Sequence, residues 1–181
     1  SPRHLAYTRG LTAAWAGLLV LLTLLNLGLA LVAVPNGLLA QAGIAVPRIL
    51  DTYRKFGLKQ SFFIPAWCIE QYPDAIESIL KDGHEIGHHG LIHEDPVETR
   101  GEAQRIAFET ALQIHQKRIG SKPRGYRAPV YNVTQQVIDL LVEHGFRYDS
   151  SLMADDIPYL MRTSAGELWE APVHWGTDDW P

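Results

Sequence analysis

Two patterns of apolar residues divide the chain into a short N-terminal and a longer C-terminal region. Residues 13–34 are apolar apart from Thr23, Asn26 and a few glycines, and no charged side chain occurs from position 10 to 47. After this run, apolar residues recur at helical spacing or in short β-prone stretches separated by glycine and proline. The second region therefore predicts an alternation of strands and helices.

The predicted strands and helices follow one another from Val46 onward. Helices are predicted at 47–56, from Pro73 to before Gly83, at 97–118, and from a cap at Asn132 or Thr134 to before Gly145. Short strands are predicted at 61–64, 84–87, 125–129, 146–148 and 168–174. In the long helix, the side chains expected to face the core are Ala103, Ile106, Ala107, Ala111 and Ile114. Such alternation is typical of α/β folds in which crossover helices join parallel strands.

The placement of polar residues favours a barrel over an open doubly wound sheet. No glycine-rich phosphate loop follows any predicted strand, so the main signature of a nucleotide-binding sheet is missing. In a barrel of this kind the chemistry lies at the carboxyl ends of the strands. Polar clusters follow the predicted strands here, after Ile64, after Gly87, around Arg127 and around Asp178.

Composition narrows the class of protein. The 181 residues suffice for one domain with a hydrophobic core, and 46% hydrophobic with 20% charged residues is ordinary for a globular protein. The net charge of −4 disfavours nucleic-acid binding, which usually requires a basic face. Cys68 is the only cysteine, which excludes a disulfide framework and a cysteine-rich zinc site.

The apolar N-terminal region has two interpretations that the residues leave open. Residues 1–50 contain three arginines and no acidic residue, and about 20 apolar residues can span a bilayer. One interpretation is a secretion signal or membrane anchor at 13–34. The other, which we favour, is a set of buried barrel strands. The chain accordingly divides into an apolar segment, 1–45, and a second domain, 46–181.

The densest candidate chemistry is the histidine cluster between Gly83 and His93. Four of the eight histidines lie in these residues. His89 and His93 are four positions apart, so one helical turn would place both imidazoles on the same side, which suits a zinc ion. His84 and His88 have the same spacing, so spacing alone does not select the pair.

The sequence Gly-His-Glu-Ile-Gly-His-His-Gly-Leu-Ile-His at 83–93 resembles the second motif of the polysaccharide deacetylase family, also called the NodB-homology or carbohydrate esterase four family. The resemblance places two zinc ligands at His89 and His93, with Gly90 where the family usually has serine or threonine. Further segments are similar to family motifs and occur in the same order: 61–65, 124–129, 148–152 and 178–180.

The resemblance implies a fold, a cofactor and further site residues. The implied fold is an irregular (β/α) barrel of the NodB-homology type, and the implied cofactor is Zn2+ or another divalent metal. Arg127 would brace a catalytic aspartate, and Asp179 would belong to the catalytic group. The remaining residues expected to line the substrate pocket are Trp67, Tyr131 and Trp180.

The function implied by the resemblance is hydrolysis of an amide in an N-acetylated polysaccharide, peptidoglycan- or chitin-like. The chain is most similar to the branch with peptidoglycan-deacetylase-like, allantoinase-like and cyclic-imide-hydrolase-like proteins. Two alternatives therefore stay open: a ring-amide hydrolase acting on a small cyclic amide, and an inactive carbohydrate-binding relative. This branch also implies a cytoplasmic homo-oligomer, with tetramers among its members, unless residues 13–34 direct the protein to a membrane or out of the cell.

The chain departs from the family pattern in two places. The family's first motif supplies an aspartate base and a further metal ligand, yet no acidic residue precedes Asp51, and Asn26 lies at the best match. The last motif supplies a histidine acid, and no histidine follows His174. We therefore expect an incomplete barrel and, for a protein of this literal sequence, little or no hydrolytic activity.

Overall fold

The computed structural model describes residues 45–174, and every structural statement below refers to them. Backbone contacts divide the chain between Ile49 and Leu50, and the sheet and the site discussed below belong to the second unit. Within the described part, no helix is long and apolar enough to cross a membrane. Four features predicted from the sequence lie outside the described residues: the segment 13–34, Asn26, Asp179 and Trp180.

Helices and strands alternate over most of the described chain, as predicted. The helices are α1 (residues 45–56), α2 (Ala66–Gln71), α3 (Pro73–Lys81), α4 (Glu102–Ile119) and α5 (Gln135–Glu143), with a 3₁₀ turn at Pro129–Tyr131. The strands are β1 (Ser61–Ile64), β2 (Glu85–His88), β3 (Gly125–Tyr126), β4 (Tyr148–Asp149), β5 (Tyr159–Arg162) and β6 (Glu167–Glu170).

The six described strands form one sheet in the order β1-β2-β3-β4-β6-β5. All neighbours are parallel except β5 and β6, which form an antiparallel pair. The register aligns the carboxyl ends of five strands, because Ile64, His88, Tyr126, Asp149 and Glu170 are successive partners. The loops that leave these strands therefore start at one edge of the sheet.

Local signals account for the ends of the helices. Pro73 occupies the first turn of α3, where its missing N–H is not needed. The Thr134 side chain accepts a hydrogen bond from the Val137 N–H and caps α5. Gly120 ends α4 in the left-handed conformation with φ of +82°, which glycine adopts at little cost.

A hydrophobic core lies between one face of the sheet and the helices α4 and α5. Its ten residues are all buried: Phe108, Leu112, Tyr126, Ala128, Val137, Ile138, Leu140, Leu141, Phe146 and Leu168.

The opposite face of the sheet carries polar side chains around an open cleft of about 520 Å³. Glu85 Oε2 accepts hydrogen bonds from Ser61 Oγ at 2.6 Å and from the Tyr148 hydroxyl at 2.9 Å. Burial, together with the neighbouring Glu85, raises the pKa of Tyr148 to about 12. The Tyr148 ring lies across Gly125, where a Cβ atom would be only 2.1 Å from Tyr148 Cζ. Glycine is therefore needed at this position for the ring to reach Glu85.

The predicted inward face of α4 is confirmed only at Ala111, which is fully buried. Ala103 and Ile106 are exposed, which makes the prediction wrong for them, and Ala107 and Ile114 are half-buried. The buried residues of the helix are Gln104, Phe108, Ala111, Leu112 and His115. Two of these five residues are polar, so a search for apolar periodicity selects a rotated face.

One helix boundary and two whole elements also differ from the prediction. The helix α4 begins at Glu102 rather than at 97, because the Asp95 side chain and carbonyl bind the N–H groups of Val97 and Thr99 and hold a separate turn. The helix α2 and the strand β5 were not predicted. β5 pairs with β6 through a tight connection, and its alternating half-buried and exposed residues have no continuous apolar run.

Candidate metal and substrate site

The loop that leaves β2 brings His89 and His93 together. Their ring centroids are 4.8 Å apart, and the ring planes meet at 74°. The spacing argument assumed that both residues lie on one helical turn. The segment is instead an irregular loop, in which His93 has a φ of +69°. A positive φ is uncommon for a residue with a side chain and is often found at functional sites.

Glu94 holds the shape of this loop. Its carboxylate accepts the N–H groups of Leu91 and Ile92 at 2.8–3.0 Å. Gly90 has a φ of +76°, and a Cβ atom there would lie 3.1 Å from Glu94 Oε1. The conformation and the close carboxylate explain why glycine replaces the serine or threonine expected from the motif.

His89 is oriented by a backbone carbonyl. Its Nδ1 lies 2.7 Å from the Arg127 carbonyl oxygen, and since a carbonyl only accepts, Nδ1 carries the proton. Nε2 is then the unprotonated nitrogen. Burial lowers the pKa of His89, so the neutral form is favoured. A neutral imidazole with one nitrogen held by a carbonyl is the usual state of a metal-binding histidine.

His84 and His88, the other pair with this spacing, form hydrogen bonds with backbone groups inside the fold. His88 is fully buried, accepts the Gly90 N–H at Nδ1 and donates from Nε2 to the Phe108 carbonyl. Burial lowers the pKa of His88 to about 3. His84 is also buried, and its Nδ1 accepts the Gln60 N–H at 3.1 Å. His88 has no ring nitrogen left for a metal, so this pair is not a candidate metal site.

Arg127 lies beside His89 at the end of β3. Its guanidinium donates to the Ser150 carbonyl at 2.9 Å and to Ser150 Oγ at 2.7 Å, and it lies 4.5 Å from the centre of the Phe63 ring. Within residues 45–174 it forms no ion pair with a carboxylate. The best match to the position of the aspartate that Arg127 was predicted to brace is Asn26, which lies outside the described residues, so that role stays a prediction.

Two of the predicted substrate-binding aromatics lie at the same edge. The backbone N–H of Trp67 donates to the carbonyl of Leu91 in the loop that carries His89. The Trp67 side chain is about half exposed. Tyr131 follows β3 with a φ of +58°, and its ring centre is 5.9 Å from the Arg127 guanidinium carbon. The structure thus places Trp67, in α2, against the loop that carries His89, and Tyr131 in the 3₁₀ turn that follows Arg127.

The sequence reasoning missed two residues near this edge, Asp149 and Glu170. Both are fully buried at the ends of adjacent strands, and burial raises the pKa of both carboxyl groups. The available sequence signal for both residues was an acidic side chain at the end of a short strand. It was weak because the predicted strand 146–148 ended before Asp149.

One group of described residues has metal-ligand atoms within 4.8 Å of one another: Glu109 on α4, Glu143 at the end of α5, and His144 directly after it. Arg105 already binds it, with two hydrogen bonds to Glu143 and one to Glu109. A cation bound here would have to displace this guanidinium, so we interpret the group as a surface ion-pair network.

Comparison with known proteins gives consistent matches. The family profile described as polysaccharide deacetylase matches residues 42–148. A peptidoglycan deacetylase of Helicobacter pylori is 32% identical over 127 residues, which are 70% of this chain and 43% of that protein. A peptidoglycan deacetylase-like protein of Gibberella zeae is 32% identical over 115 residues, 62% of this chain and 34% of that protein.

Solved structures agree with these matches. A Mycobacterium smegmatis protein described as a polysaccharide deacetylase superposes with a TM-score of 0.70 at 38% identity, covering 75% of this chain and 47% of that one. The allantoinase PuuE superposes with a TM-score of 0.66 at 28% identity, covering 74% and 45%. The chain thus spans less than half the length of these relatives.

Proposed function

The chain belongs to the polysaccharide deacetylase family, and from this premise we propose that it is the core of a metal-dependent hydrolase that removes N-acetyl groups from a polysaccharide. The resemblance drawn from the sequence motifs is confirmed. The predicted fold class is also confirmed, since the related structures are (β/α) barrels of the NodB type and the described sheet covers part of such a barrel. We propose a peptidoglycan- or chitin-like substrate because the similar proteins include a peptidoglycan deacetylase.

The observation that carries the proposal is the adjacent pair His89 and His93, with Nε2 of His89 left unprotonated. Two neighbouring imidazoles fit Zn2+ or a similar divalent ion, which binds neutral histidine nitrogen. A bound ion would polarise the substrate carbonyl and lower the pKa of an attacking water molecule.

The other residues at this edge have roles that do not depend on the ion. The Arg127 guanidinium, with no carboxylate partner in the described part, provides positive charge where an aspartate or an oxyanion would be stabilised. Trp67 and Tyr131 offer aromatic surfaces to the apolar faces of sugar rings.

Metal binding is tested by removing one exposed histidine at a time. His93→Ala should lower the affinity for Zn2+ or Co2+ by at least tenfold, because it removes one of two proposed ligands. His174→Ala is the matched control, since His174 is also exposed but pairs with Asp156. Equal affinities of the two variants, measured by calorimetry, would contradict the assignment.

The proposal also predicts a gain of activity. Asn26 is the best match in the sequence to the family's base, and an amide cannot accept the proton of the attacking water. Asn26→Asp should raise acetate release from N-acetylglucosamine oligomers by about 10²–10⁴-fold, the usual contribution of a positioned base. Asn26→Ser is the control. Robust turnover by the unchanged protein would show that another group acts as the base.

A second candidate function is hydrolysis of a ring amide, which the structural likeness to an allantoinase favours. The two candidates differ in their products. Acetate release from N-acetylglucosamine oligomers supports the deacetylase, whereas opening of allantoin or a cyclic imide without acetate release supports the alternative.

A further inference from the structure

Asp149 and Glu170 form a carboxyl pair buried under the candidate site. They are register partners on the parallel strands β4 and β6, and neither is exposed to solvent. The register places the two side chains side by side, and Asp149 Oδ2 and Glu170 Oε2 are buried with no hydrogen-bond partner among the described residues. Two ionised carboxylates side by side away from water repel each other and only accept hydrogen bonds, whereas one retained proton removes one charge and supplies a donor.

The surroundings of the pair favour retention of that proton. Tyr126 on β3 and Tyr159 on β5 face it, Glu94 adds negative charge at Tyr126, and α5 packs apolar side chains on β6. Burial and the neighbouring Asp149 charge raise the pKa of Glu170 to about 8. The pair therefore carries one proton at neutral pH.

A continuous chain of hydrogen bonds joins the pair to His89. The Ser151 hydroxyl donates to Asp149 Oδ1 at 2.6 Å and accepts the Ala128 N–H at 2.8 Å. That N–H belongs to the same peptide group as the Arg127 carbonyl, which accepts the proton of His89 Nδ1 at 2.7 Å. Each link polarises the next, because the links are buried or half-buried.

The same pair also fixes the backbone on the other side of the site. Glu170 Oε1 accepts the Leu152 N–H at 3.0 Å. Ser150, two residues before Leu152, accepts both hydrogen bonds from the Arg127 guanidinium. The position of the carboxyl pair thus influences both the orientation of the His89 ring and the placement of the Arg127 guanidinium.

We propose that the Asp149–Glu170 pair shares one proton and acts, through Ser151 and the Arg127–Ala128 peptide, as a positioning unit for His89. The part of this inference that concerns metal affinity rests on the proposed function, whereas the shared proton and the orientation of His89 do not. Loss of the shared proton in alkaline solution places two negative charges side by side in a buried site and disturbs the Arg127–Ala128 peptide.

Three variants separate the parts of this proposal. Glu170→Gln keeps the side-chain shape and gives Asp149 an amide donor, but it cannot titrate. Glu167→Gln is the matched control on the same strand, at an exposed position. Ser151→Ala cuts the chain of hydrogen bonds and leaves the carboxyl pair in place.

The shared proton is tested by urea unfolding of the metal-free protein between pH 6.5 and 8. The folded state holds a proton that the unfolded state has released, so the folding equilibrium should fall as the pH rises. Relative to Glu170→Gln, the folding equilibrium constant should fall by about 15-fold over this interval in the unchanged protein and in Glu167→Gln. Parallel curves for Glu170→Gln and the unchanged protein would overturn the shared proton.

Positioning of His89 is tested by ring ¹⁵N NMR and by Co2+ titration. The unchanged protein and Glu170→Gln should show His89 as the Nδ1–H tautomer at neutral pH. In Ser151→Ala the Nε2–H tautomer should become detectable, and the affinity for Co2+ should fall by about 10–100-fold. Unchanged tautomer and affinity in Ser151→Ala would overturn the relay. If the unchanged protein bound no Co2+, the metal proposal would fail, and the His89 tautomer would still decide the relay.

Discussion

Replacement of His115 by phenylalanine should make the protein more resistant to acid. His115 lies on the buried face of α4, is 1% exposed, and stacks parallel to His88 at 5.8 Å between ring centroids. Neither ring nitrogen has a hydrogen-bond partner in the described part of the chain. Phenylalanine therefore loses no hydrogen bond and keeps the stacked ring, so stability at neutral pH should be equal or higher.

The magnitude follows from the titration of the ring. Burial lowers the pKa of His115 from 6.5 to about 4. Below pH 6.5 the unfolded chain binds a proton at His115 that the folded protein does not bind. The folded state is therefore fully stable with respect to His115 above pH 6.5, and it loses stability as the pH falls toward 4. Each unit in this window costs about 1.4 kcal/mol, so a change from pH 7 to pH 5 removes about 2 kcal/mol through His115.

The assay compares urea or thermal unfolding at pH 7 and pH 5. The loss of stability should be about 2 kcal/mol smaller in His115→Phe, which corresponds to about 4–8 °C in the midpoint. The exposed His174→Phe is the control and should behave as the unchanged protein. The same loss in His115→Phe and the unchanged protein would refute the reasoning and assign the acid sensitivity to other groups.

Three further substitutions test the packing described above. Leu141→Ala should cost about 2–5 kcal/mol in urea unfolding because Leu141 is fully buried in the core, and a loss below 1 kcal/mol would contradict that placement. Gly125→Ala should cost about 1–3 kcal/mol through overlap with the Tyr148 ring, and most of this cost should disappear when it is combined with Tyr148→Ala. Thr134→Ala should cost about 1 kcal/mol by removing the cap of α5, whereas Thr134→Ser should cost little; equal losses would argue against the bond to Val137.

Local sequence signals determined much of the architecture. Glycine, proline and capping residues have preferences set by their own backbone and side chain, so the ends of α3 and α5 could be predicted without knowing their neighbours. The order of motifs was equally readable, because a motif is a contiguous string. His89, His93 and Arg127 were found in this way, and the family they indicate is confirmed.

The inner face of α4 could not be predicted in the same way. The pattern search assumes that buried residues are apolar, whereas Gln104 and His115 lie inside. Their burial depends on what packs against them, such as the ring of His88 from β2. Only the packed structure identifies such residues, because a polar side chain in a sequence is otherwise expected to face solvent.

The sequence by itself named the residues of the candidate site, and the tertiary structure decided their chemical states. His89 and Arg127 are 38 positions apart, and only the alignment of strand ends brings the ring to the carbonyl that sets its tautomer. Our preference for His89 and His93 over the equally spaced His84 and His88 likewise rests on burial and on hydrogen bonds to distant backbone groups. Asp149 and Glu170 share a proton because adjacent strands place two carboxyls side by side away from water, a proximity that linear spacing does not encode.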